Sequence, residues 1–218
     1  MERLNATTYG RSKTQHISYE IGDALQPTFF PQFKTKHWNN ECNFSARLVD
    51  NNQGTYSESD GVVTYVNGDK TVTFYEKDTG DEDGGFAFDI KFASKPQSNK
   101  IKFTLQHKGF VCVRQNELTQ EDYDNAAAMG LVAHPRPAEV VGSYVLFHKT
   151  KKGNEYGPGK ALEIKKTWAI DSAATQVWCE LGISGNEMEI TVPQDFIDNA
   201  VYPILIDPDF GYTSVGAS

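Results

Sequence analysis

Residues 85–92 read GFAFDIKF, with Phe86, Phe88, Ile90 and Phe92 at every second position. A period of two puts those side chains on one face of a β-strand, whereas a helix would scatter them around its axis. The same rhythm continues on both sides. Upstream, Val62–Val66 (VVTYV) meets Asn67-Gly68, a two-residue hairpin signal, and Lys70–Glu76 (KTVTFYE) is the return strand. Downstream, Lys95–Asn99 (KPQSN) is a turn, and Lys100–Gln106 (KIKFTLQ) alternates through Ile101, Phe103 and Leu105 before Gly109–Arg114 (GFVCVR). Nearer the N-terminus, Gln32–His37 and Asn43–Val49 read as a strand pair, the second alternating through Phe44, Ala46 and Leu48.

The pattern breaks once. Thr119–Met129 (TQEDYDNAAAM) carries an N-cap threonine, acids in the next turn and an alanine run, so it predicts the one short helix. Residues 115–138 thus form a long insertion between strands, the kind of segment that often carries function. Strands resume with Gly142–His148, followed by the Lys- and Gly-rich loop 149–159 (KTKKGNEYGPG). Further strands are Lys160–Lys165, Trp168–Asp171, Gln176–Ile183 and Glu187–Val192. Pro193–Ala200 makes a helical turn before the final strand 201–206. Pro203 cannot donate to a ladder, so that strand should lie at an edge or begin near the proline. About ten to twelve strands, no βαβ rhythm and no repeat predict an all-β fold: an antiparallel β-sandwich or jelly roll with one short helical insertion.

The 218 residues suit one such domain, and 39% hydrophobic against 23% charged residues describes a folded chain. Ten Tyr and thirteen Phe favour strands. We expect residues 1–27 to be a polar N-terminal arm, 28–208 the sandwich and 209–218 a tail or linker. The net charge of −8 disfavours phosphate backbones and anionic bilayer surfaces, so no nucleic acid is expected, and the lack of an apolar stretch of about 18 residues predicts no membrane insertion. The N-terminus lacks a signal-peptide core, which predicts synthesis in a cytoplasm without that export route. Cys42, Cys112 and Cys179 are isolated and read as small buried thiols, with no disulfide framework and no zinc site. The five histidines lie too far apart in sequence for a two-His metal motif.

Three constellations are candidates for chemistry. Asp78–Asp83 (DTGDED) offers oxygen ligands, with Asp78, Asp81 and Asp83 as the possible calcium set; the competing reading is a solvated hairpin tip. No other cofactor is suggested. Glu163, Glu180, Glu187 and Glu189 are the acids from which a jelly-roll glycosidase would draw its pair, with Glu163 and Glu180 expected on neighbouring strands. Yet Met188 and Ile190 should take the buried face and turn Glu187 and Glu189 to solvent. Tyr156, Trp38 and Trp168 are candidates to stack on sugar rings, while Trp178 sits in an apolar strand and reads as core.

Tyr202-Pro203-Ile204-Leu205-Ile206-Asp207-Pro208, preceded by Asp198-Asn199-Ala200 and followed by Phe210-Gly211-Tyr212-Thr213-Ser214, resembles a YPxxIDPxFGYTS signature. That signature belongs to uncharacterised phage-encoded and environmental β-rich surface or virion proteins. Residues 33–41 (FKTKHWNNE), 140–144 (VVGSY) and 148–153 (HKTKKG) are similar to the same group. The resemblance implies the final strand of a β-rich module with another module following, and it implies no activity and no catalytic residues. The resulting expectation is a non-enzymatic virion or appendage subunit on a phage or extracellular particle. It would self-associate, or join other virion or surface proteins, through its terminal arms. A carbohydrate-binding module and a glycoside hydrolase are the alternatives.

Overall fold

The computed structural model describes residues 2–3, 9–12, 17–22, 31–50, 54–77 and 85–211. Nineteen strands run through them. In chain order the first are β1 (Glu2–Arg3), β2 (Tyr9–Ser12), β3 (Ser18–Ile21), β4 (Gln32–His37), β5 (Cys42–Leu48) and β6 (Thr55–Ser59). Next come β7 (Val62–Asn67), β8 (Lys70–Lys77), β9 (Gly85–Phe92), β10 (Lys100–Lys108) and β11 (Phe110–Arg114), then α1 (Gln120–Ala128). After it follow β12 (Tyr144–His148), β13 (Lys160–Ile164), β14 (Trp168–Ile170), β15 (Gln176–Trp178), β16 (Glu180–Ser184) and β17 (Glu187–Thr191). The last are α2 (Gln194–Asn199), β18 (Ile204–Asp207) and β19 (Asp209–Gly211). The protein is mostly β, in two antiparallel sheets, with two short helices.

The first sheet is ordered β1-β2-β3-β4-β5-β10-β17-β16. The second is built around β9. Along one edge β9 pairs over its whole length with β8, which continues through β7 to β6. Along its other edge β18 and β19 lie end to end, opposite residues 90–92 and 85–87. Pro208 falls between them, where no ladder N–H is needed, and its carbonyl accepts from Phe88 N at 3.3 Å. From there the sheet divides: β18 carries β14 and β15, and β19 carries β13, β12 and β11. The last strand in sequence among the described residues is therefore central in space. It begins at Ile204, directly after Pro203, as one of the two expected placements required.

The two sheets meet through aromatic side chains that the alternation selected. Tyr19, Phe33, Phe44 and Phe103 face inward from the first sheet; Phe74, Phe86, Phe88 and Phe210 face them from the second. Phe33 stacks on Phe86 with centroids 4.5 Å apart, Phe88 meets Phe103 edge-on at 5.3 Å, and Phe44 lies 6.1 Å from Phe210. Each ring buried this way contributes roughly 1.5–3 kcal/mol.

Three expectations change at places where the chain switches sheets or joins one. Residues 18–21 fall within the expected arm, yet SYEI alternates, so Tyr19 and Ile21 enter the core and β3 pairs with β4. Residues 209–211, expected as tail, are β19. The segment 176–183 is two strands rather than one: Trp178 ends β15 in the second sheet, buried Cys179 turns the corner, and Glu180 starts β16 in the first. A similar corner at Gly109 separates β10 from β11. There φ is +75°, and a Cβ would stand 2.6 Å from Cys42 Sγ, so only glycine fits.

Phe210→Ala should cost about 3–5 kcal/mol, because the ring touches both sheets and its loss leaves a cavity. Urea denaturation followed by tryptophan fluorescence measures it; a cost below about 1 kcal/mol would mean the final strand is not packed as described.

Candidate functional site

The β4–β5 turn and the 149–159 loop meet at one end of the sheets. Trp38, Asn39 and Asn40 adopt φ of 49°, 56° and 66° in succession. Asparagine tolerates that left-handed region, whereas a tryptophan there costs on the order of 1–3 kcal/mol and must be held by its surroundings. The holding contacts are visible. The Trp38 ring lies 5.3 Å from both His148 and Tyr156, and its Nε1 donates to the Glu155 carbonyl at 3.2 Å.

Glu41, at the end of the same turn, collects three donors. Lys151 Nζ approaches Oε1 at 2.6 Å, the Tyr156 hydroxyl donates to Oε2 at 2.9 Å, and His148 Nε2 lies 3.3 Å from Oε1. His148 Nδ1 accepts backbone N–H groups from Thr150 at 3.1 Å and Lys151 at 3.0 Å, so the ring proton sits on Nε2 and points at Glu41. Hydrogen bonds from Lys151, then from Tyr156, hold the Glu41 carboxyl down to about 2. The same pairing raises the Lys151 ammonium. Its Nζ also stands 4.8 Å over the Tyr156 ring. The cluster ties the turn to the loop, and it leaves Glu41 as a fully engaged carboxylate rather than a base.

Of the aromatic candidates, the structure brings Trp38 and Tyr156 together, with Lys151 over the Tyr156 ring. Trp168 is elsewhere, on the outer face of β14, directly opposite both Trp178 and Asp207. Trp178 is not core: it is 44% exposed, with Lys166 Nζ 4.9 Å over its ring. The alternation explains this, since Cys179 takes the inward position and Trp178 faces out.

Glu187 and Glu189 face outward, with Met188 and Ile190 buried as the alternation predicts. Both acids are paired with cross-strand lysines: Lys102 with Glu187 at 3.0 Å and Lys100 with Glu189 at 2.6 Å. Lys100 holds Glu189 below the usual carboxyl range, the opposite of what a general acid needs. Glu163 and Glu180 are not on neighbouring strands, because the corner at Cys179 puts them in different sheets; Glu163 instead pairs with Lys160 at 3.4 Å. Asp78, Asp81 and Asp83 lie outside the described residues. Among the described residues no group of three His, Cys, Asp or Glu side chains is arranged to hold a metal ion. Cys42 and Cys179 are buried and Cys112 half-buried. Burial pushes the thiols of Cys112 and Cys179 up to about 11 and about 12, away from the thiolate a nucleophile needs.

Sequence reasoning missed an acid trio on the outer face of the second sheet. Asp207 and Asp209 share one face of the final strand, and Asp89 is the polar interruption of GFAFDIKF beside them. Lys77 Nζ lies 2.6 Å from Asp209 and 3.2 Å from Asp207, while the Tyr75 hydroxyl donates to Asp89 at 3.0 Å. Burial, then the charge of Asp207, pushes the Asp209 carboxyl up to about 6. Asp207 is raised by burial, then by Asp89. The spacing Asp-Pro-Asp was the available signal.

The remaining feature is the insertion. No residue from 111 through 142 is buried. Its neck is closed by Gln115 N to Ser143 O at 2.9 Å and Gly142 N to Gln115 O at 2.8 Å. Beyond the neck, α1 forms as expected behind N-cap Thr119, with a reciprocal capping box to Asp122, yet it buries no side chain. Met129, Leu131 and Val132 are 69%, 61% and 79% exposed. No helix among the described residues is long and apolar enough to cross a membrane. Comparison with protein-family models, curated proteins and solved structures finds no match to this chain.

The acid trio gives a pH dependence of definite sign. Asp209 has a folded pKa of about 6, above the ordinary 3.8, so the native state holds its proton more tightly. That contribution to stability is complete below the ordinary value and is lost as pH rises through about 6. His37 acts in the opposite sense: burial lowers it to about 4, so its contribution is complete above 6.5 and lost as pH falls toward 4. Comparing the wild type with Asp209→Asn isolates the carboxyl. In thermal melts, the wild type should lose stability relative to the variant as pH is raised from about 4 to above about 6. Parallel profiles would contradict the burial of that carboxyl.

Proposed function

We propose that this chain is a non-enzymatic assembly subunit, a β-sandwich building block of a virion or extracellular appendage, and that it contacts neighbours through the 115–142 insertion. One observation carries the reading: an ordered, capped helix stands on a closed neck with nothing of its own buried. An isolated helix of nine residues is marginal in water. An exposed apolar cluster of Met129, Leu131 and Val132 beside it is the usual mark of a protein contact. The terminal segments expected to make such contacts are less suited to it, because residues 18–21 and 204–211 are sheet strands with side chains in the core. Glycosidase chemistry has no acid pair to recommend it in the lysine-tied carboxylates of β17.

Glycan binding is the second reading, and the Trp168–Trp178 pair favours it. The two indoles are directly opposite on an outer sheet face, with Trp178 exposed. Aromatic rings in such a position offer an apolar platform for a sugar.

The experiment is a loop replacement. Exchanging residues 116–141 for a short Gly-Ser turn removes no buried side chain, so the variant should keep the wild-type circular dichroism and denaturation midpoint. Light scattering after size exclusion should find the wild type self-associated and the variant monomeric. A monomeric wild type, or a variant that assembles like the wild type, would overturn the reading. For the second reading, a glycan array comparing wild type with Trp178→Ala should show binding lost in the variant; no binding by the wild type would remove it.

A further inference from the structure

The β11–β12 hairpin carries two different surfaces at its two ends. At the Ser143 end stands the insertion, with Glu117, Glu121, Asp122, Asp124 and Glu139 against the single arginine Arg136. At the other end, one five-residue strand away, the chain enters Lys149-Thr150-Lys151-Lys152. Five residues of strand span about 17 Å, so the acidic and basic ends are separated along one rigid element.

Two apolar surfaces are also left uncovered by the single chain, one along the hairpin and one on the insertion. On the hairpin, Val111 and Val113 point outward, 43% and 40% exposed, opposite Phe147 and Val145 of β12. On the insertion the counterpart is Met129, Leu131 and Val132. Lys151 is committed to Glu41. Among the described residues Lys149, Lys152, Glu117 and Glu121 enter no ion pair.

We infer that the partner is a second copy of this chain: the insertion of one copy lies on the outer β11–β12 face of the next, with Glu117 and Glu121 against Lys149 and Lys152. The inference rests on the assembly reading above and adds its partner and polarity. Apolar meets apolar, and the acidic flank meets the basic one, which fixes register and speeds encounter. The two surfaces are different patches of the same molecule. The contact is therefore heterologous, and copies add head to tail into a ring or an open chain rather than a two-fold dimer.

Charge reversal tests it. Lys149→Glu with Lys152→Glu is one variant, and Glu117→Lys with Glu121→Lys is the other. All four positions are exposed, and unchanged circular dichroism confirms that each variant folds. Each alone should self-associate at least ten-fold more weakly than the wild type in sedimentation velocity at low salt. Mixed in equal amounts they should assemble again, because reversed insertion meets reversed face and native insertion meets native face. Variants that assemble like the wild type, or a mixture that stays dissociated, would overturn this contact while leaving self-association itself in place. A wild type that is monomeric throughout would instead remove the assembly reading on which it rests.

Discussion

The ladder between residues 204–211 and β9 is the contact on which the rest of the structure depends. Two of the three branches of the second sheet pass through it, and the third meets them at β9. The β6–β8 meander reaches β9 from one side, and β14–β15 and β13–β11 are attached only through the two halves of the final strand. Phe210 and Ile206 bring that strand's inner face into the core, so the same residues that join the branches also join the sheets. The ladder pairs residues over a hundred positions apart, so forming it carries the loop-closure entropy of a long-range contact.

That closure sets a core of buried apolar side chains apart from an outer surface of polar and charged groups. Cys42, Cys179, Ser143 and Thr167 are buried. Several outer carboxylates are tied to lysines: Glu187 and Glu189 to Lys102 and Lys100, Glu41 to Lys151, Asp207 and Asp209 to Lys77. The insertion is the exception to the sorting, since it takes part in neither the core nor an ion-pair network of the described residues.

How much of this the sequence disclosed depended on how local the information was. Alternation in GFAFDIKF, KIKFTLQ and EMEIT gave strands and faces correctly, and TQED announced the cap of α1, because each signal lies within one element. What escaped were events decided by distant partners. Nothing in QVWCELGI says that Cys179 is a corner, and nothing near Gly109 says that Cys42 will stand against it. Pro203 left two placements open, an edge strand or a strand beginning beside the proline; the ladder begins one residue later, and only the distant partner β9 makes that strand central. Of the site residues, Trp38 and Tyr156 were visible as exposed aromatics. Glu41, the carboxylate that ties their cluster together, came from a turn that the hydrophobic pattern passes over. The acid trio was hidden for a related reason: Asp89 and Asp207 become neighbours only once β18 is in place.

Native-state hydrogen exchange tests the central placement of the final strand most directly. The backbone amides of residues 204–211 that lie in the β9 ladder should exchange only through global unfolding, with the same opening free energy as the amides of Phe86 and Phe88. Exchange of the 204–211 amides through a local opening, while those of β9 remain protected, would show that the strand is an appendage to the sheet and contradict the account.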